Sequence, residues 1–435
     1  MDHPLQQAHA AGLLLLLIHS LKGSIPMTFL YNILIQVYVL LIRLAALWNP
    51  KAKLWVAGRR HIFDDLQQKI SHDRPLAWFH CASLGEFEQG RPVLEAYRLQ
   101  YPDHRILITF FSPSGYEVRK NYAGADYIFY LPADTTRNAR RFVALVKPHI
   151  VFFVKYEYWF NYLRQLHTTG VPVVGVSSIF RPGQRFFRWY GRWQLAALKR
   201  FDHFFVQDQQ SADLLAKAGI TQVTVSGDTR FDRVAEVARQ KKSFPLVEQF
   251  AAGHQVFIAG STWPPDETMV RLLIEKNIPN LKFIIAPHEV HEARIQRLVE
   301  LLPHETVRFS QATDQNLAEA HVLVIDNIGI LSHLYQYANV AYIGGGFGVG
   351  IHNILEAATF GLPVLFGPNY QKFREAVELI AQGGAFSFGD EKEFLASALP
   401  LLSDEPQREA AAQIARQYVE SREGATRLTL DWLRG

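Results

Sequence analysis

The sequence predicts an α/β fold of two Rossmann-like domains facing a cleft, with an N-terminal membrane helix ahead of them. Three observations carry this expectation. Short apolar runs alternate with helical patterns along most of the 435 residues. Continuous apolar strands separated by helices indicate a parallel sheet covered on both faces. The series also begins twice, with a polar stretch over 231–245 between the two halves. Two doubly wound halves of roughly 180 residues each imply a ligand cleft. Finally, 28–48 is an apolar segment about long enough to cross a bilayer at 1.5 Å per residue.

Composition narrows the class. The chain is 49% hydrophobic and 20% charged, which suits packed cores and excludes a disordered or fibrous protein. A net charge of +4 is too small to argue for nucleic acid, and no nucleic-acid motif is present. The single cysteine, Cys81, excludes an intramolecular disulfide and a cysteine-rich zinc site. It reads as a small buried residue at a strand end.

Residues 1–50 read as an apolar membrane anchor. Arg43 is near enough to the end of the segment to snorkel, and Lys51, Lys53, Arg59 and Arg60 follow it. The positive-inside rule then puts the bulk of the chain in the cytoplasm, on the inner face of the membrane. No small-residue cleavage site follows the apolar run, which favours an uncleaved anchor over a secretory signal. Asn32, Gln36 and Arg43 leave a helix lying in the interface as the alternative to a spanning one. Met27 is an alternative start, which would set 1–26 outside the protein.

The predicted strands of the first half are 76–82, 104–111, 125–132, 149–157, 172–178 and 203–208, with helices at 85–101, 112–122 and 136–146. Those of the second half are 255–261, 281–287, 322–327, 340–346 and 363–367. The segment 404–432 reads as one helix and is a candidate to cross back to the first half. The domain division is set at 51–236 and 237–435.

Ligands of open parallel sheets bind beyond the carboxyl ends of the strands, so residues just after strands are the candidates. Glu86, in Ser83-Leu84-Gly85-Glu86, falls at a helix N-terminus, where the dipole holds a carboxylate ionised. Facing a cleft it is a general base; the plainer alternative is a carboxylate serving its own helix end. Glu157 ends a strand among aromatics that desolvate it or stack on a sugar, the alternative being a salt bridge with Lys155 or an arginine. Gly344-Gly345-Gly346 lets a backbone approach a ligand, and a helix starting near His352 offers N–H groups to a phosphate. Asn353 and Glu356 share one face of that helix, with Glu356 placed to accept from ribose hydroxyls. Ser261 and His288 follow neighbouring strands, and His288 is a phosphate donor or a satisfied surface histidine. Arg181 and Arg230 are candidate clamps for an anionic acceptor, or solvated arginines.

The ordered set of His80–Pro92, Glu157–Trp159, Ser226–Asp232, Gly260–Thr262, Ala286–His288 and Gly344–Leu379 resembles the 3-deoxy-D-manno-octulosonic acid (Kdo) transferases of lipid A. The likeness runs from about residue 28 to the C-terminus. It implies the glycosyltransferase B architecture and an inverting, metal-independent transfer in lipopolysaccharide biosynthesis, from CMP-Kdo to a tetraacyl lipid A precursor. CMP-Kdo enters as donor substrate, with no cofactor. By the same likeness 51–236 binds the acceptor and 237–435 binds CMP-Kdo. Glu86 becomes the base, and Glu157, with the candidate arginines Arg181 and Arg230, lies on the acceptor side. Ser261, His288, Gly345, Gly346, Asn353 and Glu356 hold CMP. Three departures fall in the acceptor half: Lys155 stands for a usual glutamate, Ser177–Arg181 for an N-A-R segment, and Arg230 for a lysine. The alternatives are a two-domain glycosyltransferase using a UDP- or GDP-sugar, and a non-catalytic lipid- or sugar-binding protein of the same fold.

Overall fold

The structure, a computed structural model, describes residues 27–188, 191–303 and 305–434. These form two compact units: 27–229 with 424–434, and 230–423.

The first unit holds seven strands: β1 (Leu76–Cys81), β2 (Arg105–Phe110), β3 (Tyr127–Tyr130), β4 (Ile150–Val154), β5 (Val173–Ser178), β6 (His203–Val206) and β7 (Val223–Val225). Their order across the sheet is β3-β2-β1-β4-β5-β6-β7, and every pairing is parallel. All six residues of β1 are buried, because helices cover both faces. Trp78 packs with Phe142 and Tyr162 on one face, while Phe79 stacks on Phe152 on the other. Each such ring contributes about 1.5–3 kcal/mol by leaving water.

The second unit repeats the plan with β8 (Gln255–Thr262), β9 (Leu281–Pro287), β10 (Thr306–Arg308), β11 (Val322–Val324), β12 (Val340–Ile343), β13 (Val364–Phe366) and β14 (Ala385–Ser387). Their order is β10-β11-β9-β8-β12-β13-β14, again all parallel.

Several elements differ from the sequence reading. The three-residue strands β7, β10 and β14 lie at sheet edges and are only partly buried, so they show no apolar run and went unpredicted. The strand expected over 149–157 stops at Val154 because Lys155 has φ +67°, which ends the extended backbone. The C-terminal segment is two helices, Glu405–Glu420 and Ala425–Trp432, separated at Gly424 with φ +117°. The second of them belongs to the first unit: Tyr101 Oη donates to the Leu433 carbonyl at 3.3 Å, beside the helix Leu84–Gln100. The division between units falls at 229/230, where the sequence reading drew it at 236/237.

The helix Met27–Ala45 is long and apolar enough to span a bilayer, yet it docks on the first unit along much of its length. Tyr31 Oη donates to Asp134 Oδ2 at 2.6 Å, and Asn32 Oδ1 accepts from Thr136 and Asn161. Ile35, Tyr38 and Ile42 pack below them against the layer of Trp55 and Phe111. Phe29, Ile33, Val37, Leu40, Leu41 and Leu44 line the opposite face and are exposed.

Candidate active site

In each sheet the strand order reverses beside the strand that starts it: between β1 and β4 in the first unit, and between β8 and β12 in the second. At such a point the following loops run apart and open a crevice.

In the first unit Glu86 follows β1 and Glu157 follows β4. Glu86 sits in the first turn of Leu84–Gln100 with 7% of its surface exposed. Its Oε2 accepts from the Ser83 backbone N–H at 2.7 Å and from Ser83 Oγ at 2.9 Å, one half of a capping box. The helix end does not keep this group strongly ionised, as the sequence reading expected. Burial, and then the charge of Glu157, raise its pKa to about 7 against the pull of Ser83 and Lys155. Glu157 has 11% of its side chain exposed. Its Oε2 accepts from Trp159 Nε1 at 2.5 Å and lies 3.2 Å from His80 Nε2. Burial raises it to about 7 as well, with the indole N–H pulling the other way. Two carboxyls that change protonation near neutrality, at a switch point, suit proton transfer.

A buried polar cluster lies at the ends of the neighbouring strands. Gln89 Nε2 donates to Asp228 Oδ1 at 3.1 Å, and Ser177, with φ +50°, donates to the same oxygen at 3.4 Å. Cys81 is buried at the end of β1, where burial raises its thiol well above the usual range.

In the second unit the glycine turn after β12 closes on β8. Gly345 has φ +94°, and its N–H donates to Asp266 Oδ2 at 2.9 Å. Asp266 also accepts from the Trp263 N–H and from Tyr342 Oη, both at 2.8 Å, and is 1% exposed. A Cβ on Gly346 would lie 2.6 Å from the Gly367 backbone, so only glycine lets these two loops meet. Trp263, His288 and His352 form a stack: the two imidazoles are 4.4 Å apart, and the indole is 4.8 Å from His288. His288 is the exposed member. Trp263 Nε1 donates to His352 Nε2 at 3.2 Å, and burial, with His288 alongside, lowers His352 to about 4.

The helix expected to start near His352 begins only at Leu355 and spans four residues, Leu355–Ala358. Asn353 Oδ1 accepts from the Leu355 N–H at 3.2 Å, and its Nδ2 donates to Glu356 Oε1 at 3.1 Å. One turn has almost no dipole to offer a phosphate, so that part of the sequence reading is withdrawn.

The sequence pattern of the 3-Deoxy-D-manno-octulosonic-acid transferases (kdotransferase) matches residues 58–233. A 3-deoxy-D-manno-octulosonic acid transferase of Bordetella pertussis is 30% identical over 391 residues, covering 82% of this chain and 87% of that one. The chain belongs to this family. An Aquifex aeolicus transferase of the same name is 28% identical, covering 78% of this chain and 89% of its own. Among solved structures, a UDP-GlcNAc 2-epimerase from Neisseria meningitidis bound to UDP-GlcNAc superposes with a TM-score of 0.58 at 16% identity, over 83% of this chain and all of that one. Anabaena HepE in complex with UDP gives 0.51 at 13%, over 83% and 98%. These two likenesses establish the fold: two doubly wound domains of the glycosyltransferase B type.

In this Kdo transferase family member, Glu86 and Glu157 come together at one switch point. Ser261, His288, Gly345, Gly346, Asn353 and Glu356 gather around the ends of β8, β9 and β12. Arg181 is exposed in the loop after β5, its backbone N–H donating to Gln184 Oε1 at 3.0 Å. Arg230 is the first residue of the second unit and pairs with Glu375 at 2.9 Å. The sequence reading missed His80, Trp263, Asp266 and His352 as site residues. His80 had a signal, being one polar residue inside the apolar strand Leu76–Cys81. Asp266 had another, a carboxylate three residues past Trp263 at a Pro-Pro helix start.

Proposed function

We propose that this Kdo transferase moves Kdo from CMP-Kdo to a hydroxyl of a tetraacyl lipid A precursor at the cytoplasmic face of the inner membrane. The reading rests on one observation above others: Glu86 and Glu157, two carboxyls poised near pH 7 at the switch point of the first unit, in a chain that covers most of a named transferase. Glu86 takes both of its hydrogen bonds from Ser83 on Oε2, and Oε1 is the atom offered to the acceptor hydroxyl. As Glu86 takes the proton, the hydroxyl oxygen bonds the anomeric carbon of Kdo. The bond from that carbon to the CMP phosphate oxygen breaks, and CMP leaves with the electron pair. A base so placed is worth roughly a hundred- to ten-thousandfold in rate.

The second unit takes the donor. The glycine turn gives the nucleotide close backbone approach, and His288 supplies an exposed ring as stacking surface or hydrogen-bond donor. Ser261, Asn353 and Glu356 supply polar groups for phosphate and ribose. Acceptor placement follows from the N-terminal helix. Trp159, which holds Glu157, packs 4.7 Å from Phe111, and Phe111 stacks on Tyr38 of that helix. The helix lies along the membrane surface with Phe29, Ile33, Leu40 and Leu41 in the acyl region, so a lipid acceptor arrives beside Glu157.

The test is incubation with CMP-Kdo and tetraacyl lipid A precursor, with products weighed by mass spectrometry. A gain of one or more Kdo residues with release of CMP is expected. Transfer from a UDP- or GDP-sugar, with none from CMP-Kdo, overturns the reading.

A further inference from the structure

His80 is wholly buried on β1, on the Trp78 face of the sheet. Its Nδ1 lies 3.1 Å from the Thr109 carbonyl oxygen and 2.8 Å from Thr109 Oγ1. A carbonyl only accepts, which favours the tautomer with the hydrogen on Nδ1. Trp78 Nε1 donates to the same Oγ1 at 2.7 Å and fixes the far end of the chain. In the neutral ring Nε2 is then a lone pair.

Around Nε2 three atoms form a triangle. Trp159 Nε1 is 3.0 Å from His80 Nε2 and 2.5 Å from Glu157 Oε2, and the last two are 3.2 Å apart. With Glu157 ionised and His80 neutral, the indole supplies the single hydrogen, and two lone pairs face each other. A second proton removes the conflict. On His80 it makes an imidazolium without access to water, with the Arg59 cation adding to the cost; burial lowers this ring to about 3. On Glu157 it makes an O–H···N bond between neutral groups, and burial favours this form.

We infer that His80 is a positioning residue that accepts a hydrogen bond from protonated Glu157, leaving Glu86 the one carboxylate charge where β1 and β4 end. The inference rests on the reading of Glu86 as base. The titratable and charged groups around the pair include Glu86 and Glu88 of the helix after β1, Cys81 of β1, Lys155 of the adjoining loop, Tyr158 beside Glu157, Tyr31 of the N-terminal helix and Arg59. A neutral Glu157 removes the repulsion that would otherwise keep Glu86 protonated, so the base is available at neutral pH.

The experiment has a spectroscopic arm and a kinetic arm on the full chain. Infrared spectra of the unliganded protein at pH 7 should show a protonated-carboxyl band that Glu157→Gln removes. Nitrogen-15 NMR should show His80 as the neutral Nδ1–H tautomer from pH 5 to 8. An imidazolium at His80, or no such band assignable to Glu157, overturns the inference. In kinetics, Glu157→Gln should leave the acid limb of the kcat/KM profile in place, because the side chain it replaces is already neutral, whereas a limb moved down by a unit or more overturns the inference. His80→Phe should move the acid limb up by about one unit, and His80→Gln, which restores an acceptor oxygen, should reverse much of that shift. The spectra need no substrate. Intact spectra with no Kdo transfer by the unmodified protein would therefore count against the transferase reading and leave the pairing standing.

Discussion

The two units share a topology and differ in what they put at its switch point. Both are seven-stranded parallel sheets whose order reverses beside the first strand. In the first unit the loops deliver buried acids, Glu86 and Glu157, against a histidine and an indole. In the second they deliver glycines, a His–His–Trp stack and a carboxylate spent on the backbone, Asp266. One arrangement stores proton affinity and the other clears space for a ligand. The sheet supplies the crevice, and the chemistry comes from a few residues per loop.

The largest expected effect separates the two directly. Glu86→Ala should lower kcat by about a hundred- to ten-thousandfold while CMP affinity, measured by calorimetry, stays unchanged. Retained activity in that variant would remove the base assignment. Next comes Gly346→Val, which drives a side chain into the Gly367 backbone. It should cost about 1–3 kcal/mol of stability and abolish CMP binding without altering the carboxyl bands of the first unit.

The third prediction concerns pH. Glu86 and Glu157 have folded-state values of about 7, above the ordinary carboxyl range. Groups raised in this way contribute stability below about pH 4.5 and lose it as pH rises through 7. The first unit should therefore lose on the order of 3 kcal/mol between pH 5 and pH 8, read from denaturant midpoints, and Glu86→Gln should flatten the slope. The same titration puts the acid limb of kcat/KM near pH 7, since the base acts only when ionised. A pH-independent midpoint for the first unit would show the acids to be solvated. The smallest effect belongs to Asn353→Ala, which removes a cap from one short helix. About 1 kcal/mol of stability and a several-fold weaker CMP affinity are expected; unchanged affinity by calorimetry would take Asn353 out of the donor site.

Much of the fold was legible because parallel strands covered on both faces must be apolar throughout, and such runs stand out in a sequence. The helix Thr136–Val146 was placed to the residue. Three-residue edge strands carry no such signature, and β7, β10 and β14 were lost. Lys155 ended its strand early through a left-handed backbone that its residue type does not announce. In the site, the glycines after β12 were visible because close packing leaves no other choice. The pairing of Arg230 with Glu375 was not legible, because a charged residue near a domain boundary reveals neither its unit nor a partner.

The sequence alone determined the class, the two successive sheets, the order of motifs and the candidates Glu86, Glu157 and Gly344–Gly346. Those follow from periodicity and residue type, which are local properties. Only the tertiary structure decided that Glu86 is raised in pKa where its helix end argued for a lowered one. It also decided that His80 and Trp159 converge on Glu157, that Asp266 holds the glycine turn, and that the N-terminal helix docks through Tyr31, Asn32 and the apolar Ile35, Tyr38 and Ile42. Proton affinity and hydrogen-bond partnership depend on how many atoms replace water around a group. Those atoms come from residues distant in the chain, 79 positions apart in the His80–Trp159 contact and 139 in the Gln89–Asp228 one.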